Sequence, residues 1–498
     1  MFIFAYYRLL FITFFNYAGW SMKKLVRITS VPLSMEKLLG SQLSYMNDFY
    51  EVTAISSDEK KLKTIAENLR IKHFTVEMTR KVSPIKDLIA IYRMFVYFRK
   101  IKPDIVHSHT PKAGLVGMFA AYLAGVPVRL HTVAGLPLLE TEGKKRILLS
   151  NVERLIYVAA TKIYPNSKEL KRIILQQKFC KASKLKVLGN GSSNGIDTDY
   201  FDPLIITEEK KNLLKTELGI KNDDIVFIFL GRLVKDKGIN ELVSAFKTLV
   251  ELPDYSTENQ LNSEVGKIIP LNASVKNSSG SKISVSRYNG SSLTGLDLRH
   301  RLGKVFYKTA ADSAGISIAI GNEKPISQVN SYNSTFSHAS VIPNRAYPNI
   351  KLLLVGSLEQ ELNPVLGLTL SEIQNNSQII TTGFVQDVRP YLAVSDCLVF
   401  PSYREGFPNA VLQAGAMSLP SIVTDINGCN EIITHGENGL IIPVKNEKEL
   451  GAAMKKITDD SEVYQKMKEQ SRKKIIDRYS QQKVWEALLK EYQNALSK

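Results

Sequence analysis

The sequence predicts an α/β protein built from two doubly wound parallel sheets. Three observations predict it. Short apolar strand patterns alternate with helical patterns from Met22 onward. The series restarts near Ile225 with a fully apolar run. A chain of 498 residues is also too long for one ordinary core. A hydrophobic content of 44% and a charged content of 23% are those of a soluble globular protein.

The first domain is expected over residues 22–205, with strands at 25–29, 50–55, 73–76, 105–107, 128–132, 162–165 and 186–188. Helices are expected between them, among them 84–102 and 114–124. The helix near 85–102 interleaves aromatic and basic residues (Tyr92, Arg93, Phe95, Tyr97, Phe98, Arg99, Lys100). It reads either as an amphipathic helix facing the core or as a membrane-contacting one. A linker around 197–211 leads to a second domain over 206–480. Its strands are expected from Ile225 onward and at 351–355, 379–382, 397–400, 421–424 and 439–442, and a last helix at 481–496 crosses back to the first domain.

One segment breaks the alternation. A helix at 239–252 should reach the strand at 351–355 through a few residues. Instead 254–348 intervenes, rich in Ser and Asn, and reads as a low-complexity insertion on the outer side of the second domain. Within it, 298–317 is helix-compatible and 316–320 is a candidate strand. Residues 1–21 are apolar but interrupted by Arg8 and Asn16, too short to span a bilayer and without a basic front. They read as an over-extended gene start before Met22, with insertion into a membrane interface as the alternative.

The formal charge is +17, and residues 22–200 hold 30 Lys and Arg against 15 Asp and Glu. A basic face of this kind suits anionic lipid or a pyrophosphate-bearing acceptor. No nucleic-acid-binding motif accompanies it, so nucleic acid is not an expected partner. The expected place is the cytoplasm, peripherally at the inner face of the inner membrane. Cys180, Cys397 and Cys429 lie far apart and form no paired motif, which fits a reduced protein without structural metal.

Two segments carry chemistry. The run 225–230 is the signature of a buried parallel strand and leads into Gly231-Arg232-Leu233-Val234-Lys235-Asp236-Lys237-Gly238. Arg232 and Lys237 stand at the carboxyl end of that strand, where open α/β sheets bind ligands, and suit a diphosphate. The stretch Pro401-Ser402-Tyr403-Arg404-Glu405-Gly406-Phe407-Pro408-Asn409-Ala410-Val411-Leu412-Gln413-Ala414 reads as a strand end, an acidic loop and a helix start. Free amides at a helix start attract anions, so this is a candidate sugar-phosphate cradle. In Val106-His107-Ser108-His109-Thr110-Pro111-Lys112, the nearest acid to the histidine pair is Asp104 at the far strand end, which argues against a metal site.

These segments, with Asn194-Gly195-Ile196-Asp197, Ser421-Ile422-Val423-Thr424-Asp425 and Asn430-Glu431-Ile432-Ile433, resemble family 4 glycosyltransferases of the GT-B fold, in the branch that builds bacterial polysaccharides. The resemblance runs from about Lys23 to Leu496 apart from the insertion. It implies two Rossmann-like domains facing a cleft, the first for the acceptor and the second for the nucleotide sugar. It implies that Arg232 and Lys237 stabilise the departing phosphate without a metal, that Glu405 contacts donor hydroxyls and that His131 sits near the reacting carbon. Gly231, Phe407, Asn409 and Ala410 would meet the donor, and Val385, in Gly383-Phe384-Val385, would lie by the base. Gln413 stands where the family has a ribose-binding Glu, a departure that puts ribose recognition in doubt. His109 and Lys112 are the acceptor-side candidates. The implied reaction is retaining transfer of a hexose or N-acetylhexosamine from a UDP-sugar, with no cofactor, to a lipid-linked saccharide. A non-catalytic scaffold and a nucleotide-sugar epimerase of the same fold are the alternatives.

Overall fold

The computed structural model describes residues 22–79, 83–251, 349–361 and 363–497, together with four strands between 252 and 348. The expectation for 1–21 lies outside the described residues. The chain divides into two compact units, Met1–Val250 with Asn349–Lys498, and Glu251–Pro348.

The first unit contains two six-stranded sheets. One is formed by β1 (Lys24–Ile28), β2 (Glu51–Ser56), β3 (Lys72–Thr75), β4 (Ile105–Ser108), β5 (Val128–Val133) and β6 (Lys162–Pro165), in the order β3-β2-β1-β4-β5-β6. Every pairing in it is parallel. Helices cover both faces, so the inner strands β1, β4 and β5 are buried along almost their whole length. Helices Pro84–Ile101, Pro111–Leu123 and Gly143–Ala159 cover one face, burying Met94, Phe98, Val116 and Ile156. The expected strand at 186–188 does not form. It is reduced to a single bridge between Ile163 and Leu185, and Lys186 turns to pair with Glu491.

β7 (Ile225–Leu230) opens the second sheet and is buried along nearly its whole length. In the Glu251–Pro348 unit, β8 (Ser274–Lys276) pairs antiparallel with β9 (Lys282–Ser284), and β10 (Val305–Thr309) with β11 (Ile316–Ile320). The candidate strand at 316–320 is therefore present, whereas 305–309 within the helix-compatible stretch is a strand. β12 (Ile350–Val355), β13 (Ile379–Gly383), β14 (Cys397–Phe400), β15 (Ser421–Thr424) and β16 (Gly439–Ile442) complete the second sheet in the order β13-β12-β7-β14-β15-β16. All its pairings are parallel. Both six-stranded sheets thus share one doubly wound topology, each with a switch point where the strand order reverses.

The last helix, Gln481–Leu496, returns to the first lobe. Leu488 and Tyr492 join the first lobe's core, and Trp485 Nε1 donates to Asn194 Oδ1 at 2.7 Å. The two strands of chain joining the lobes run side by side: Ile196 N donates to Tyr479 O and Gln481 N to Ile196 O.

Candidate active site

In the second sheet the switch point lies between β7 and β14, and each carries a loop at its carboxyl end. The β7 loop passes through a 3₁₀ turn, Lys235–Lys237, and ends at Gly238, whose φ is +73°. A Cβ there would lie 2.2 Å from Pro401 O, so only glycine lets this loop press against the end of β14. The close approach brings two of the predicted residues together. Lys237 Nζ is ion-paired with Glu405 Oε1, and Ser402 Oγ donates to the same oxygen at 2.9 Å. Lys237 Nζ also lies 5.9 Å from the centre of the Phe400 ring, on the side of its negative face. Both charged side chains are about five-sixths enclosed, at 17% and 16% exposure. Arg232 is placed differently. It is half-exposed and paired with Glu359, which follows β12, at 3.1 Å.

The Glu405 loop also meets the first lobe. A Cβ on Gly406 would lie 1.7 Å from Ala134 O, just past β5. Asn427 Nδ2 donates to Glu405 O at 2.9 Å and to Gly406 O at 2.6 Å, while its Oδ1 accepts from Ser167 Oγ in the first lobe. Glu431 accepts from the amides of Lys168 and Glu169. The backbone carrying Glu405 is therefore fixed from both lobes.

Helix Asn409–Ala416 starts at once, with Pro408 at its N-cap and no side chain capping its first amides. Asn409 is exposed and Ala410 and Gln413 are half-buried, whereas the Phe407 ring packs on Tyr479, with centroids 5.4 Å apart. Gly231 lies at the end of β7. Val385 follows β13 at the sheet edge, so β12 separates it from the switch point.

The first lobe's histidines are enclosed. His131, on β5, shares a hydrogen bond of 2.8 Å between its Nδ1 and Ser108 Oγ, and burial pushes its pKa down to about 4. It is a neutral imidazole at neutral pH. His107 is held by Tyr492 Oη at 2.6 Å and Thr132 Oγ1 at 2.8 Å. Both acceptor-side candidates are held by partners within the first lobe. His109 Nε2 accepts from buried Arg27 Nε at 2.9 Å, and Arg27 Nη2 in turn donates to Gln42 Oε1 at 2.6 Å, so His109 is a packed member of a buried chain. Burial and the neighbouring histidine and arginine hold its pKa well below the ordinary value. Lys112 grips both oxygens of Asp87, at 2.8 and 2.6 Å, and both side chains are about nine-tenths enclosed. It neutralises a helix carboxylate and offers no free ammonium to an acceptor. Local reading of the strand-to-helix loop could not see either partner, because Arg27 and Asp87 come from other elements.

Among the described residues, no group of three or more His, Cys, Asp or Glu could hold a metal ion. Sequence reasoning gave no role to Ser402, Asn427 or Glu431. Ser402 had a local signal, three residues before Glu405; the other two are recognisable only through partners in space.

Two family models match the chain. The one described as Glycosyl transferases group 1 matches residues 334–460, and the one described as Glycosyl transferase 4-like matches 40–167. The capsular polysaccharide biosynthesis glycosyltransferase CapM of Staphylococcus aureus is 27% identical over 476 residues, covering 95% of this chain and 98% of that protein. The UDP-Gal:alpha-D-GlcNAc-diphosphoundecaprenol alpha-1,3-galactosyltransferase of Escherichia coli is 25% identical, covering 87% and 86%. Among solved structures, a glycosyltransferase from Rickettsia africae superposes with a TM-score of 0.65 at 16% identity, covering 96% of this chain and 99% of its own. Anabaena Alr3699/HepE in complex with UDP and glucose superposes at 0.64 with 14% identity, covering 95% and 100%, which bears on the fold alone. Two parallel lobes of one topology and these relatives lead to one conclusion: the chain is a bacterial glycosyltransferase of the GT-B fold, similar to the group 1 and 4-like families in its two lobes.

Proposed function

We propose that the chain transfers a hexose or N-acetylhexosamine from a UDP-sugar to a lipid-diphosphate-linked saccharide, with retention and without a divalent metal. The observation that carries this reading is the Lys237–Glu405 pair at the switch point of the second sheet. A diphosphate brings more negative charge than one carboxylate, so it displaces Glu405 from Lys237. Glu405, still steered by Ser402, is then free to accept hydrogen bonds from sugar hydroxyls. Arg232 adds a second cation after exchanging Glu359 for phosphate, and the two cations serve where other transferases use a metal. The open amides at the start of helix Asn409–Ala416 face the phosphates, and Gln413 meets the ribose diol.

In this reading the bond from the anomeric carbon to the leaving phosphate breaks as the bond to the acceptor oxygen forms on the same face. The acceptor's proton passes to the departing phosphate oxygen, so no protein nucleophile is needed. The energetic contribution of the protein is positioning and charge stabilisation. Relatives named for capsule synthesis and for a diphosphoundecaprenol acceptor support a role in surface polysaccharide assembly at the cytoplasmic face of the membrane.

The test is a calorimetric screen of UDP-sugars in the presence of a chelator, followed by UDP release with a lipid-diphosphate saccharide. Proton NMR of the hydrogen on the product's anomeric carbon reads the stereochemistry. Binding with turnover and retained configuration supports the reading. Binding without turnover on any acceptor favours a non-catalytic scaffold, and turnover abolished by chelator removes the metal-independent mechanism.

A further inference from the structure

Helix Pro84–Ile101 carries two apolar stripes. One faces inward, through Ala90, Met94 and Phe98. The other, Ile85, Leu88, Ile89, Tyr92 and Val96, recurs at helical spacing on the opposite face and is exposed. Ile85 is 77% exposed, Leu88 67% and Tyr92 65%, well beyond the scattered apolar residues of an ordinary surface.

Charge is organised around this stripe. Lys86, Arg93 and Lys100 are exposed at intervals of seven residues and so form a basic stripe along one flank. The helix has one acidic residue, Asp87, and it is turned inward and neutralised by Lys112. No carboxylate of this helix faces outward.

A neighbouring helix repeats the pattern. Gly143–Ala159 exposes Ile147, Leu148, Leu155 and Val158 along one face, behind Lys144 and Lys145 at its start. Both helices cover the same face of the first sheet, with the buried helix Pro111–Leu123 packed between them.

We propose that this face of the first lobe lies on an anionic phospholipid bilayer, its apolar stripes entering the acyl boundary and its basic residues meeting the headgroups. An amphipathic helix with apolar residues on one side and flanking Lys and Arg is the form that binds in an interface plane. A second copy of the chain would bring the same positive charge against itself, whereas an anionic surface is complementary to it. No described helix is long and apolar enough to cross a membrane, so the contact is with the surface. The inference rests on the geometry of the first lobe and not on the identity of the donor. If the proposed function also holds, the face would keep the enzyme beside a lipid-linked acceptor.

The experiment is co-sedimentation of the full chain with vesicles of phosphatidylglycerol and phosphatidylcholine, and with phosphatidylcholine alone. The chain should bind the anionic vesicles, and high salt should weaken binding as it screens the basic stripe. The double variant Leu88→Ser with Ile89→Ser, and separately Lys86→Glu with Arg93→Glu, should each lower the bound fraction about tenfold or more. UDP binding by each variant checks that the distant second lobe remains folded. Failure of the wild type to bind anionic vesicles overturns the proposal, and so does equal binding by both variants, which would assign the contact to another segment. Dimers in light scattering that the Leu88/Ile89 variant dissolves, without vesicle binding, would overturn it in favour of self-association. Vesicle binding by a chain that fails to bind UDP would leave this inference standing and remove the donor reading.

Discussion

The carboxylate of Glu431, in the second lobe, closes onto the backbone amide of Lys168 in the first, at 3.0 Å, and onto that of Glu169 at 3.2 Å. These amides begin helix Lys168–Gln176, so the acid sits at the positive end of a helix dipole. Ser167 caps the same helix through Leu170 N and donates to Asn427, whose amide holds the Glu405 loop. One small network therefore ties the lobes to the residue proposed to hold the sugar. Glu431→Ala should weaken the joint by about 1–2 kcal/mol, the range for lost helix-end acids and caps. Small-angle scattering should show a larger radius of gyration without donor, and KM should rise more than kcat falls. Unchanged scattering and unchanged KM would mean that the contact is incidental.

Lys237 and Glu405 are enclosed together, so their mutations should not be independent. The coupling energy in a cycle of Lys237→Ala, Glu405→Ala and the double variant should be about 0.5–3 kcal/mol in UDP binding, the range for groups in direct contact. Additive effects would show that the pair does not act as one site.

Gln413 occupies a helix position one turn past the open amides and is half-buried. Gln413→Glu should bind UDP as tightly as the wild type or more tightly, since a carboxylate accepts both hydrogens of a diol. A loss of about tenfold, near 1.4 kcal/mol, would place the ribose elsewhere.

The pH dependence of stability has two opposing sources. Burial raises Glu153 from its ordinary 4.5 to about 7. The folded protein then holds this proton where the unfolded chain has lost it, so stability falls as pH rises from about 4.5 to 7. Burial pulls His131 from 6.5 down to about 4, so the unfolded chain binds the extra proton and stability falls as pH drops through that window. Glu153→Gln should therefore stabilise the protein at pH 8 by up to about 3 kcal/mol and change little near pH 4.5, as denaturant titrations would show. The neutral state of His131 has a kinetic counterpart: kcat/KM should carry no histidine titration between about pH 6 and 8. A clear inflection there that His131→Gln removes would contradict its assigned state.

Much of the fold was legible because buried parallel strands are short apolar runs with clear ends. Residues 162–165, 397–400, 421–424 and 439–442 could be read to the residue. The segment 186–188 has the same look, yet its partner is Glu491 on the returning helix rather than a sheet edge. At the site, Lys237 and Glu405 were readable because each follows a strand and a glycine fixes the loop between. Their meeting was not, since the close pass of Gly238 over Pro401 is a relation between segments far apart in sequence. The partners of Lys112 and His109 were hidden for the same reason, as Asp87 and Arg27 are brought to them by the fold. In helix Pro84–Ile101 the two apolar stripes left both readings open, and the structure shows that one face packs while the other is exposed.

The most direct test of the account is steady-state UDP release by Lys237→Ala with chelator present and the donor and acceptor that serve the wild type. In this variant kcat should fall about 10²–10³-fold, the effect of removing one preorganised charge from a departing phosphate. A variant that turns over at the wild-type rate would contradict the assignment of the phosphate site to the second lobe's switch point.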